Sequence, residues 1–229
     1  MQNIYPILEF LLAPFGLLVL FTLLFILLMY VRYRYWLKRN SNILSYFKVN
    51  PSITKWKVPF VVSSFKFVFM QIGRAGGAVS YGPLKTIPTI YTIVSSPTNF
   101  IIANPNIKKY EFDWNLGSVV EQKSIKINNI DVLIGAGSVE FILLIENLLI
   151  QDKELAQRIA KYMEKDWAYL SLKKEILVGN GSLFKKQWVL RYFGFPPTVY
   201  EDPAELESLA TDIASLLTQL KVTPEVLGN

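Results

Sequence analysis

Residues 15–40 read FGLLVLFTLLFILLMYVRYRYWLKRN, an apolar run that ends in a burst of positive charge. The uncharged stretch is longer than that excerpt. From Phe10 to Val31 only Pro14, Gly16 and Thr22 interrupt the apolar side chains. At ~1.5 Å per residue a helix over 10–31 covers ~33 Å, enough for a hydrocarbon layer of ~30 Å. A globular core helix rarely stays apolar all round for so long. Pro14 falls in the first turns, where a missing backbone donor costs least. Tyr5 near one end, and Tyr30, Tyr33, Tyr35 and Trp36 near the other, match aromatic belts at two headgroup layers. A cleaved export signal would need a basic start, a shorter apolar run and small residues at the cut. Here the start is MQNIYPILEF, with Glu9 and no Lys or Arg, and bulky Tyr, Trp and Arg follow the run. The expectation is an uncleaved single-pass span.

Arg32, Arg34, Lys38 and Arg39 form a collar just past the span. Basic flanks are retained beside the anionic cytoplasmic leaflet. That places the amino terminus outside and the rest of the chain on the cytoplasmic side, or in the particle interior if this is a virion protein.

Beyond the span and its collar the 229-residue chain has room for one ordinary domain or two small ones. There is no Cys and no His. Disulfides, thiolate nucleophiles and Cys-type zinc sites are excluded, as are imidazole bases and Ser-His-Asp triads. Neither a cofactor nor a metal-ligand set is expected. The absence of Cys with little Gln and Met also matches a thermophile tendency. Of the net charge of +6, residues 32–48 supply +5. Between Val49 and Tyr110 seven basic residues stand with no acid, and from Glu201 onward the balance is −5. A solvated basic face explains the former most simply. Contact with lipid headgroups or nucleic acid is the sharper reading.

The chain beyond the collar divides by periodicity. Residues 32–53 read as collar and linker, 54–135 as a β-rich subdomain, and 136–229 as a mainly helical subdomain packed on it. Phe65, Phe67 and Phe69 alternate with Lys66, Val68 and Met70, a period of two. TIPTIYTIV (86–94) is rich in β-branched residues, but Pro88 makes it an edge strand or marks a strand entry. Tyr110, Phe112 and Trp114 alternate with charges. SIKINNIDVLI (124–134) specifies a hairpin about Asn128-Asn129, with Ile127 facing Ile130, Lys126 facing Asp131 and Ile125 facing Val132. Ser138 and Asp152 are expected helix caps. FILLIENLLI (141–150) is apolar enough to be buried or to lie against lipid or a partner. Leu155, Ile159, Met163 and Trp167 form a stripe on the next helix. SLFKKQWVLRYFG (182–194) reads as helix or strand, with a lean to helix. Asp202-Pro203 with Glu205 starts the last helix in capping-box style. Its Leu206, Leu209, Ile213, Leu216 and Leu220 recur like a heptad seam. Core packing is the plain explanation and a docking helix for another subunit the functional one.

Other motifs weaken on inspection. Gly77 and Gly82 have phosphate-loop spacing, but Pro83-Leu84 stand where Lys and Ser/Thr must follow. Glu111/Asp113, Glu201/Asp202 and Glu205/Glu207 are carboxylate pairs on a strand and around a helix start. Aromatic and basic residues interleave at Trp56, Lys57, Phe65, Lys66, Phe67, Tyr81, Lys85 and Tyr91, as in sheets that stack bases, without an RNP-type motif. The fold expectation is α+β: one transmembrane helix, a β-rich part, then a helical part. The function expectation is a non-enzymatic structural or assembly subunit. Its residues are the anchor and collar (Phe10, Val31, Arg32, Arg34, Trp36, Lys38, Arg39) and the leucine seam. Its partners are the lipid bilayer and other protein subunits. A membrane-tethered nucleic-acid binder and a carboxylate- or Mg²⁺-dependent enzyme are the alternatives.

Overall fold

A computed structural model describes residues 5–51, 57–73, 86–107, 121–166, 168–176, 186–195 and 197–225. Helix α1 (Tyr5–Arg39) is followed by the short α2 (Ser41–Tyr46). Strands β1 (Lys57–Val62), β2 (Phe65–Gly73), β3 (Thr86–Ser95), β4 (Phe100–Ala103), β5 (Glu121–Ile127) and β6 (Ile130–Ala136) come next. Then follow α3 (Val139–Gln151), α4 (Lys153–Tyr162), β7 (Tyr169–Ile176), β8 (Lys186–Phe193), a 3₁₀ turn (Pro197–Tyr200), α5 (Ala204–Gln219) and β9 (Thr223–Pro224). The class is mixed α+β.

The strands form one antiparallel sheet in the order β1-β2-β3-β8-β7-β4-β6-β5, with β9 paired to the end of β3. One face is the core. Phe65, Phe67 and Phe69 of β2, Ile90 of β3, Leu190 of β8, Leu172 of β7, Ile102 of β4 and Ile134 of β6 all lie there, packed with the helices. The period of two in FKFVFM thus reflects a strand with one face under helices.

The Asn128-Asn129 hairpin has the expected register at all three pairs. Both asparagines take positive φ (48° and 68°), as a type I′ turn demands. Ser138 caps α3 by accepting from the Phe141 amide at 3.3 Å, and Asp152 caps α4 by accepting from Leu155 at 3.0 Å.

Four expectations are corrected. The boundary near 135 does not separate a sheet from a helical unit, because β7 and β8 sit in the middle of the sheet between β3 and β4. Residues 186–193 are strand, not helix. Being central, β8 buries residues on both faces, with Val189 and Leu190 both at 0% exposure, so its alternation is muted. Strand β3 is interior, paired to β2 and β8, so the edge alternative falls and the strand-entry one holds. Pro88 is tolerated because pairing to β8 begins only at Thr89, so Pro88 marks the start of the doubly bonded stretch. Finally, part of the supposed linker is α2, with Ile43 and Leu44 buried. Residues 109–114, Trp56, Tyr81, Lys85, Trp167 and the 77–82 glycines lie outside the described residues.

Candidate functional site

Helix α1 has two regimes along one unbroken rod of ~52 Å. From Phe15 to Arg32 the described side chains are exposed, and Phe15–Arg39 is the one described helix long and apolar enough to cross a membrane. Within it Thr22 donates its hydroxyl to the Leu18 carbonyl at 2.7 Å, so its polar atom is satisfied internally. From Tyr33 onward the helix acquires a buried face. Tyr33 and Trp36 are 8% and 4% exposed and belong to the core of the folded domain. Tyr33, Trp36, Leu37 and Asn40 recur at helical spacing and share one side. Tyr35 (65% exposed), Arg32, Arg34 and Lys38 occupy the other.

The chain then turns sharply. Asn40 is buried, and its side-chain amide donates to the Trp36 carbonyl at 2.7 Å. Ile43 and Leu44 enter the core, and Phe47 stacks on Phe60 of β1 with ring centroids 4.3 Å apart. Arg39 lies over the Tyr200 ring at 4.3 Å, a cation–π contact. Asn42 donates to the Tyr200 carbonyl at 3.2 Å, and the Tyr46 hydroxyl donates to the Glu207 carboxylate. That bond raises the Tyr46 pKa. Helix α1 is therefore fixed to the β1 side of the domain.

This arrangement corrects the aromatic-belt expectation for Tyr33 and Trp36, which are core residues. Among the collar residues Arg32, Arg34 and Lys38 keep exposed side chains, whereas Arg39 is committed to Tyr200. Val31 is exposed at the end of the apolar stretch, and Phe10 lies in the first turns of α1. The leucine seam takes the plainer of its two readings, core packing. Leu206, Leu209, Ile213, Leu216 and Leu220 are 0–2% exposed in the chain's own core, so they present nothing to a partner. Asp202 accepts from the Ala204 amide at 3.0 Å, while Glu205 accepts from the Thr198 hydroxyl at 3.1 Å instead of closing a capping box.

Two polar clusters escaped the sequence reading because their members are far apart in the chain. Asp212 of α5 is buried and accepts from Arg158 Nε at 2.8 Å and from the Tyr162 hydroxyl at 3.0 Å. Arg158 is held protonated by Asp212, and burial pushes the Tyr162 phenol up to about 12. This network ties α4 to α5. On the sheet face away from the core, Tyr91 lies between Lys57 (5.7 Å) and Arg191 (5.6 Å), and Arg191 pairs with Glu175 at 2.5 Å. Lys173 beside them has a pKa lowered by burial.

A cavity of about 470 Å³ opens beside the α5 start, lined by Glu164, Asp202 and Glu205 with Tyr162, Tyr192 and Lys165. Asp202 and Glu205 are engaged in the bonds described above. Among the described residues no three His, Cys, Asp or Glu side chains gather where they could hold a metal ion. The aromatics proposed for base stacking are placed otherwise: Phe65 and Phe67 lie in the core and Tyr91 is 3% exposed. No protein-family model, curated protein or solved structure matches the chain.

Proposed function

We propose that this chain is a membrane-anchored structural or assembly subunit, with α1 remaining in the bilayer and the folded domain held against its cytoplasmic, or particle-interior, face. The observation that carries the reading is the continuity of α1. The same helix that exposes Phe15–Val31 buries Tyr33 and Trp36 in the domain core. A leader destined for removal contributes nothing to the core of what it exports. A rod docked by Trp36, Asn40 and the Arg39–Tyr200 contact fixes the pose of the domain relative to lipid. Such fixed presentation suits a subunit that offers surfaces to neighbours. The exposed Arg32, Arg34 and Lys38 lie where they meet anionic headgroups, each contributing ~1 kcal/mol near such a surface. That favours the domain on the cytoplasmic side.

Amine-reactive cross-linking in native membranes tests the role. A subunit joins defined neighbours and migrates above its monomer mass; a chain that stays monomeric at every cross-linker length is not one. For orientation, a cysteine at Lys48 should react with a membrane-impermeant thiol reagent only after the membrane is opened.

A further inference from the structure

Among the described residues strand β5 is an edge of the sheet, with β6 its one ladder partner. The turn closes on Ile127 and Ile130, the doubly bonded pair of a two-residue hairpin. Bonded and non-bonded pairs alternate from there. Ile125 and Lys123 therefore direct their backbone groups to β6, while Lys126, Ser124 and Gln122 direct theirs to the side away from β6, which no described strand occupies. A run of such groups is a template for another strand.

An apolar helix face lies beside that edge. Val139, Leu143, Glu146 and Ile150 of α3 follow i, i+4, i+7, i+11 and form one stripe. Glu146 reaches Lys123 of β5 at 2.7 Å, and Ile150 lines a groove of about 580 Å³ with Ile127 and Lys153. The stripe is thus turned toward the open edge. Its apolar members are 43%, 46% and 61% exposed.

We propose that this face binds the same face of a second copy, β5 against β5, antiparallel about a two-fold axis at Ser124. This specifies partner and surface for the assembly role proposed above, and rests on it. That axis pairs all seven residues: Ser124 with Ser124, Gln122 with Lys126, Lys123 with Ile125, Glu121 with Ile127. The outward groups of Gln122, Ser124 and Lys126 are then in phase for a bonded ladder. No like charges face one another, whereas an axis at Lys123 or Lys126 would set lysine on lysine. The same rotation brings Leu143 of one copy beside Ile150 of the other, with the two Lys123–Glu146 pairs between them. The α1 helices stand at the far ends of the joined sheet, because α2 and Phe47 pack at the β1 edge.

The absence of Cys makes the test clean. Single cysteines are placed in the full-length chain, and native membranes are oxidised with copper phenanthroline. Directly paired bonded residues have Cα atoms about 5.5 Å apart, within disulfide range. Ser124→Cys should give a disulfide dimer. Gln122→Cys and Lys126→Cys should each give none alone but a cross-linked pair when co-expressed. Val61→Cys, on the opposite edge, should give none. Leu143→Glu with Ile150→Glu, both at exposed positions, should lower the Ser124→Cys dimer yield at least about tenfold, the loss expected for about 1.4 kcal/mol of association. A silent Ser124→Cys, a cross-link from it to a different protein, or a yield indifferent to the glutamates overturns the proposal. If Ser124→Cys is silent while amine cross-linkers still capture neighbours, only this interface falls; if both are silent, the assembly role falls with it.

Discussion

Replacing Trp36 with alanine tests the junction against its simplest rival. If Trp36 sat in a headgroup belt, its removal would leave the stability of the folded domain unchanged. In the structure it is 4% exposed within the domain core, beside Tyr33 with ring centroids 6.4 Å apart. Truncating a buried Trp to Ala costs about 3–5 kcal/mol, from lost transfer energy and the cavity left behind. For a domain of this size each kcal/mol lowers Tm by roughly 2–4 °C, so the expected drop is roughly 6–20 °C. Tyr35 supplies the control from the adjacent position. At 65% exposure it faces away, and Tyr35→Ala should stay within about 0.5 kcal/mol of the parent. The assay is near-ultraviolet circular dichroism of the full-length chain in detergent micelles, heated in parallel for the three proteins. Equal melting of Trp36→Ala and parent, or equal loss for the two variants, would refute a docked helix.

Further predictions concern the rest of the fold. Leu216→Ala should cost about 2–5 kcal/mol, seen as a lower denaturation midpoint, yet leave the cross-linking pattern of the folded chain unchanged, because Leu216 is core and not seam. Gly194 has φ +146°, and a Cβ there would lie 2.4 Å from the Tyr192 hydroxyl. Gly194→Ala should therefore destabilise by about 1–3 kcal/mol, measured by the same melt. Tyr162 ionises near 10 when unfolded and at about 12 when folded, raised chiefly by burial. Between those values the unfolded chain holds fewer protons, so stability is intact below about pH 10 and falls as pH rises toward 12. Urea midpoints across that range should decline less steeply in Tyr162→Phe, and identical slopes would contradict the assignment.

What was legible in the sequence was local. Ile127-Asn128-Asn129-Ile130 names its own turn, and the charged and apolar pairs flanking it agree on one register. Ser138 and Asp152 announce helix starts because capping uses residues three positions apart. Where the sequence misled, two environments demand the same side chain. Tyr33 and Trp36 suit a headgroup layer as well as a core, and only the helical spacing of Tyr33, Trp36, Leu37 and Asn40 could have separated them from Arg32, Arg34 and Lys38. Leu206 through Leu220 suits an own core as well as a partner. Strand β8 was hidden by its central place, since burial on both faces erases the alternation that identifies an edge or half-exposed strand. The Asp212–Arg158–Tyr162 and Tyr91–Lys57–Arg191 clusters are made by chain crossing, which no window of sequence displays.

The account stands most directly on the fate of α1 in cells, and one measurement decides it: intact mass of the protein recovered from membranes washed at alkaline pH. The prediction is a chain that still carries the Phe15–Arg39 stretch ahead of the folded domain, retained in the pellet and released by detergent. A shortened chain that begins beyond Arg32, or full-length protein in the wash, would contradict it.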